Sequence, residues 1–305
     1  MSKIAVGIHG GARPDSEFIR TNINGYKKAL KESAELSYDL LKRGKCALDA
    51  AEAAISFLED CVLFNAGRGS AINSVGMVEM DASIMDGNDL RCGAVALLRF
   101  VKNPVGLARL ILEDSHHVLL GGEGAIEYAK NKGVKLEHEG YFVVPHQYDA
   151  YMKKRDKLSP QEKEDLKNHG TVGVIALDKK GNIASATSTG GTSFNKQGRI
   201  GDAAMIGIGC YADNRTCGVC ATGDGEINIR TIAAGYVSML VEQKLMNVQE
   251  ACDYVIHQKN KHVKGDMGLI ALDKYGNFAT AHNSELMHRA WITPDQELTI
   301  KVYEK

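Results

Sequence analysis

Apolar residues recur along this chain in two rhythms, and each predicts a different element. Tyr26, Leu30, Ala34 and Leu41 fall on one narrow arc at about 100° per residue, which predicts an amphipathic helix. "CALDAAEAAISFLED" predicts a second, alanine-rich helix running into the loop "CVLFNAGRGS". "NPVGLARLILED" predicts a third, with Asn103 as cap and Pro104 at its first position. "KIAVGI" reads as a strand ending in the glycine turn "HGGAR", and "MVEMDASIM" and "RCGAVALLRF" as two strands joined by "DGND".

The second half echoes itself. "VGVIALDKKGNIASATSTGG" and "MGLIALDKYGNFATAHNSE" share an apolar run, an "LDKxGN" turn and a returning strand, so both read as β-hairpins. Their first strands are apolar at nearly every position, as expected when both faces are covered. Two helices are expected between them, at roughly 224–244 and 247–260. Residues 148–169 break the pattern, being crowded with charges of both signs, and read as an exposed, mobile linker. This order of elements predicts an α/β fold, two stacked sheets between helical layers.

Composition narrows the function classes. The 305 residues suit one large domain or two modest ones, with ample length for a well-buried core. Lys+Arg of 37 against Asp+Glu of 38 leaves a net charge of -1, so no basic field exists to hold nucleic acid. The N-terminal apolar run is too short for a secretory leader, and no stretch approaches the roughly 18 apolar residues of a membrane span. Seven scattered cysteines suggest reduced thiols and a cytoplasmic location. Cys210, Cys217 and Cys220 lie close enough to suggest zinc but lack a second ligand pair. "LLGGEGAIEYAK" at 119–130 has a glycine turn before a helix but neither a full dinucleotide fingerprint nor a phosphate-loop lysine.

The chemistry gathers around "NHGTVGVIALDKKGN". Thr171 opens a buried strand behind a glycine and the charged segment. Within the chain its hydroxyl has no base. Cut before it, the residue gains an α-amine with a typical pKa of about 7.7–8.0, and nucleophile and base then come from one residue. Gly170 presents no Cβ to obstruct attack on its carbonyl. A structural turn into a strand is the plainer reading of "GT" taken alone. The context adds Thr187, Ser188 and Thr189, then Arg199 and Asp202, then Thr222, Gly223 and Gly225. Arg199 and Asp202 could hold the carboxylate and ammonium of an amino-acid substrate, or simply pair at the surface. The 223–225 turn could bring backbone N–H groups to an oxyanion.

Together, "IHGGA" at 8–12, "LFNAGRGS" at 63–70, "MDASIMDG" at 80–87, "GTVGVIALDKKGN" at 170–182, "TSTGG" at 187–191, "GRIGD" at 198–202, "TGDGE" at 222–226 and "RAW" at 289–291 resemble the plant-type asparaginase and isoaspartyl peptidase family of N-terminal nucleophile hydrolases. The resemblance covers nearly the whole chain. It implies a four-layer αββα sandwich of two mainly antiparallel sheets, a single domain over 1–305. It also implies self-cleavage between Gly170 and Thr171 into an α chain (1–170) and a β chain (171–305) that stay together.

By the same resemblance Thr171 is the nucleophile and Thr189 the hydroxyl that assists it. Thr222 and Gly223 form the oxyanion hole, Arg199 clamps the substrate α-carboxylate, and Asp202 holds the α-amino group beside Gly225. Asn65 matches a residue close to the nucleophile and contacts substrate. A structural sodium ion is implied on the loop carbonyls of Leu58, Glu59, Cys61, Phe64, Ala66 and Arg68, with no catalytic cofactor. The implied substrates are L-asparagine and β-aspartyl dipeptides, and the implied assembly is a homodimer of cleaved units. A glycosylasparaginase, a threonine aspartase cutting proteins, and a non-catalytic binding protein on the same fold are the alternatives. One departure stands out: Arg13 replaces the glycine with which the family usually continues "HGGA".

Overall fold

In the computed structural model, which describes residues 3–114, 116–157 and 170–303, the chain opens with β1 (Ala5–Arg13), α1 (Glu17–Thr21), α2 (Ile23–Lys42) and α3 (Ala47–Asp60). Then follow β2 (Met80–Asp86), β3 (Cys92–Leu98), α4 (Pro104–Asp114), β4 (Leu119–Gly121), α5 (Gly122–Asn131) and α6 (Pro145–Lys157). Past residue 170 come β5 (Val172–Leu177), β6 (Ile183–Thr189), β7 (Cys210–Ala212) and β8 (Cys217–Gly223). The helices α7 (Gly225–Thr231), α8 (Ala233–Glu242) and α9 (Val248–Asp253) precede β9 (Met267–Asp273), β10 (Phe278–His282), β11 (Leu286–Thr293) and β12 (Gln296–Lys301).

Among the described residues the strands form two sheets. The larger has the order β12-β11-β1-β5-β6-β2-β3-β4, and the smaller β10-β9-β8-β7. Every pairing is antiparallel except the short edge pair of β3 and β4. In the larger sheet β1 lies between β11 and β5, so strands from before and after residue 170 interleave. A cut at 170 therefore leaves both pieces held in one hydrogen-bonded ladder.

The period-two alternation of β5 explains why it is apolar throughout. Val172, Val174 and Ala176 share a core with Leu30 and Leu41 of α2 and Ala51 and Ile55 of α3. Ile175 and Leu177 point the other way, packing with Cys220, Ile270 and Leu272 of the smaller sheet. On β8 the same alternation sends Val219 and Ala221 toward Val237 of α8 and Ala251 of α9. Each valine, leucine or isoleucine so buried contributes roughly 1.5–3 kcal/mol.

The α2, α3 and α4 helices and both hairpins lie where the apolar rhythms place them. Four details differ. β1 does not end at "HGGAR" but continues through it to Arg13, its register with β11 shifting between His9 and Ala12. The helix expected at 224–244 is broken at Ile232, which adopts a left-handed conformation at φ 54°. The helix expected at 247–260 ends in a π-helical stretch, Tyr254–Lys259. The segment read as a linker from residue 148 is helical as far as Lys157, and the remainder, 158–169, falls outside the described residues. Two side chains explain why α6 is docked: Gln147 Nε2 donates to the Gly69 carbonyl at 2.8 Å, and Lys154 Nζ to the Ser193 carbonyl at 3.0 Å. Burial pushes the Lys154 ammonium down to about 8.

Candidate active site

Strand register brings Thr171 to its neighbours. β5 and β6 pair with Val172 opposite Ser188, so the next position sets Thr171 against Thr189. The Thr189 hydroxyl donates to the Gly170 carbonyl at 3.5 Å and accepts the Gly191 N–H at 3.1 Å. From the smaller sheet, the end of β8 supplies a second hydroxyl. Thr222 Oγ1 accepts the N–H groups of Thr171 and Ala12, each at 3.3 Å. The Gly170–Thr171 peptide is thus held at both ends, its carbonyl by one threonine and its N–H by another. Thr171, Thr189 and Thr222 are all buried.

Beside Thr222, Gly223 turns the chain at φ 106°, and a Cβ there would collide with the Asp266 carbonyl. Only glycine fits this close approach. Deeper in the same region, His9 is fully buried, and burial pushes its imidazole down to about 3 despite the opposing Thr171 backbone. Its ring is neutral at any physiological pH.

The residues expected to hold an amino-acid substrate, Arg199, Asp202 and Gly225, converge at the start of α7. A Cβ on Gly225 would lie 2.8 Å from Arg199 Nη2 and 2.9 Å from Asp202 Oδ1, so the glycine leaves room for both side chains. Asp202 is buried and accepts from Asn228 Nδ2 at 2.8 Å. Burial raises its carboxyl to about 6, a rise that the Asn228 bond and the Arg199 charge oppose. Asp81 behaves alike, raised by burial to about 6 while accepting the Gly201 and Leu97 N–H groups at 2.8 and 2.9 Å.

Arg199 is already engaged. Its Nε and Nη2 donate to Glu226 Oε1 and Oε2 at 3.0 and 2.9 Å, a two-pronged ion pair. Partial burial would raise the Glu226 carboxyl, but the hydrogen bonds and charge of Arg199 together outweigh it and hold the group down to about 2. Among the described residues Nη1 makes no hydrogen bond, so it is the free edge of the guanidinium. A carboxylate ligand binding Arg199 would approach Nη1 or displace Glu226.

Asn65 does not reach toward this region with a free group. Its Nδ2 donates to the Gly191 carbonyl at 2.6 Å and its Oδ1 accepts the Ala71 N–H at 2.7 Å. It ties the loop after α3 to the turn carrying Thr189. In that loop a Cβ on Gly67 would collide with Glu59, and one on Gly69 with the carbonyls of Phe64 and Val62, so the chain passes close against itself. The carbonyls of Leu58, Cys61 and Ala66 each accept one N–H and retain a lone pair. An all-carbonyl set of this kind fits a hard cation such as sodium. Held there, the ion would brace the loop that positions Asn65. The Glu59 side chain is occupied elsewhere, accepting the Val105 N–H at 3.1 Å, with burial pushing it up to about 8.

Other candidates disperse. Cys210 and Cys220 surround Ser185 between the sheets, whereas Cys217 lies in the core beneath α8 and α9. The three thiols therefore cannot share a zinc ion. All seven cysteines are free. Residues 119–130 form an edge strand and most of a helix that includes none of the expected site residues. An open cavity of about 540 Å³ between α3 and α4, rimmed by Asp49, Glu52 and Arg109, includes none of the expected site residues. No helix among the described residues is long and apolar enough to cross a membrane.

Glu226, Asn228, Asp81 and His9 were not singled out from sequence. His9, Asp81 and Glu226 stand inside the quoted motifs "IHGGA", "MDASIMDG" and "TGDGE", but nothing in their spacing assigns them partners.

A family model described as asparaginase matches residues 2–302. The chain is 39% identical to an isoaspartyl peptidase of Salmonella typhimurium over the full length of both proteins. It is 36% identical to a probable isoaspartyl peptidase/L-asparaginase 2 of Arabidopsis thaliana, over 98% of this chain and 99% of the other. It is 39% identical to the human isoaspartyl peptidase/L-asparaginase, over 94% of this chain and 92% of that one. With matches of this extent gathered on a peptide gripped by two threonine hydroxyls, the chain belongs to the asparaginase family that contains these isoaspartyl peptidases.

Proposed function

We propose that this protein is a threonine hydrolase that cuts itself between Gly170 and Thr171 and then hydrolyses L-asparagine and β-aspartyl dipeptides. The observation that carries the proposal is the grip on the Gly170–Thr171 peptide. A hydroxyl on the carbonyl polarises the bond to be attacked, and a hydroxyl on the N–H sits where the new amine forms. In self-cleavage Thr171 Oγ attacks the Gly170 carbonyl and the C–N bond breaks, the nitrogen taking the hydroxyl proton. Water then hydrolyses the ester, leaving a Gly170 carboxylate and a free Thr171 amine.

In turnover that amine takes the proton from its own hydroxyl, which attacks the β-carbonyl of the substrate. Thr189 assists the nucleophile, and Thr222 and Gly223 stabilise the charge developing on the carbonyl oxygen. The proton passes to the leaving ammonia or amino acid, and water releases aspartate from the acyl-enzyme. Arg199 and Asp202 orient the substrate by its α-carboxylate and α-ammonium, with Gly225 making room and Asn65 fixing the Thr189 turn.

The proposal includes a four-layer αββα sandwich, a single domain of two interleaved chains after the cut, the sodium loop described above, a homodimer of cleaved units, and a cytoplasmic location. Incubation followed by mass measurement and by assays of ammonia from asparagine and of leucine from β-aspartyl-leucine tests it. Uncut protein, inert toward both substrates, would leave a binding protein on this fold.

A further inference from the structure

Arg13 stands where the family motif runs into glycine, and the fold buries it beside the bond to be cut. A Cβ built on Gly170 would lie 3.7 Å from both Cζ and Nη1 of Arg13. Nη2 donates to the Tyr26 hydroxyl at 3.3 Å, and the guanidinium lies 5.6 Å from the Tyr26 ring centroid. Among the described residues Arg13 makes no ion pair, and its buried Nε has no hydrogen-bond partner. A buried cation without a carboxylate is unfavourable, and a ligand that brings one removes the penalty.

The space for that ligand is present. Arg13 borders a cavity of about 240 Å³ whose walls include Phe18, Ile19, Tyr26, Leu63, His146 and Asp149. Drug-sized pockets run to roughly 300–1,000 Å³, so this one is scaled to a single amino acid. Its wall is mixed: Phe18, Ile19, Leu63 and Ala150 are apolar, whereas Ser16, Gln147, His146 and the Asp149 carboxylate are polar, with the Arg13 cation at its edge. His146, stacked on Phe18 at 4.4 Å between ring centroids, is held down to about 4 by burial and by the Arg13 charge. A neutral imidazole does not compete with Arg13 for an anion.

Asparagine carries one carboxylate, which Arg199 can meet. A β-aspartyl dipeptide carries two, the second on its leaving amino acid. We infer that Arg13 and the adjoining cavity form the leaving-group subsite, Arg13 binding the C-terminal carboxylate of a β-aspartyl dipeptide and the cavity taking the side chain of the leaving amino acid. The inference rests on the proposed hydrolysis and adds a specificity determinant to it. Self-cleavage opens the subsite, because Gly170 lies against Arg13 until the bond is broken.

The experiment compares β-aspartyl-leucine, its C-terminal amide and asparagine, using the wild type, Arg13→Gln and Arg13→Lys. In the wild type the free acid should show a KM at least tenfold below that of the amide. Arg13→Gln should raise the free-acid KM about tenfold or more, bring it level with the amide, and shift the asparagine KM far less. Arg13→Lys should restore part of the difference. A wild-type ratio of free acid to amide near one would overturn the inference, even if Arg13→Gln failed to fold. So would an Arg13→Gln enzyme that keeps the wild-type ratio. Asparagine turnover by the wild type in either case would leave the proposed function standing. A wild type inert toward all three compounds would sink both.

Discussion

Replacing Thr222 by valine removes one hydroxyl and almost no volume. That oxygen is fully buried and accepts two backbone N–H groups, from Thr171 and Ala12, each at 3.3 Å. The change leaves two buried donors unpaired, each costing roughly 1–3 kcal/mol. Both bonds are long, so the lower part of the range applies, giving a loss of about 2–4 kcal/mol. At roughly 2–4 °C per kcal/mol for a chain somewhat under this length, the melting temperature should fall on the order of 5–15 °C. The same hydroxyl sits on the nitrogen released in self-cleavage, so cleavage should slow by about 10²-fold, the scale of losing one such group. Thr222→Ser keeps the hydroxyl and should retain most of both quantities. Thermal unfolding, made on the Thr171→Ala background so that uncut chains are compared, separates stability from cleavage. A valine variant as stable as the serine variant, cut at the wild-type rate, would refute the assigned role of the hydroxyl.

Two further outcomes follow from the substrate-holding residues. Arg199→Lys retains charge but loses the planar fork that meets Glu226 and the free Nη1 edge together, so the KM for asparagine should rise at least about tenfold while self-cleavage proceeds; an unchanged KM would remove Arg199 as the clamp. Asp202 must be ionised to hold an ammonium, and with its carboxyl raised to about 6 the asparagine KM should climb as pH falls through that value. Asn228→Ala removes a bond that favours the ionised form, so this acid limb should move to higher pH; a limb that stays in place would argue that another group controls it.

Much of the site was legible because its residues lie at strand ends fixed by strong local patterns. The repeated "LDKxGN" turns define two hairpins, and the β5–β6 register alone then carries Thr171 to Thr189. What the pattern could not supply is the crossing of sheets that brings Thr222 beneath the same peptide, a contact between residues 51 positions apart. α6 was hidden for a related reason. Its charged composition resembles a solvated linker, and what docks it are long-range contacts: Lys154 and Gln147 bonded to distant carbonyls, His146 stacked on Phe18 and Tyr151 against Phe194. The break at Ile232 has neither glycine nor proline to announce it. Glu226 was invisible as a partner because a glutamate at the start of a helix is ordinarily read as favouring the helix dipole, not as occupying an arginine 27 residues away.

The central claim is that Thr171 becomes a chain terminus. The most direct measurement is the intact mass of the purified protein over prolonged incubation, beside that of Thr171→Ala. The account predicts that the wild type resolves into two species, residues 1–170 and 171–305, as hydrolysis of asparagine appears, and that the alanine variant stays whole and inactive. A wild type that hydrolyses asparagine while remaining a single uncut chain, or an alanine variant that divides at the same bond, would contradict it.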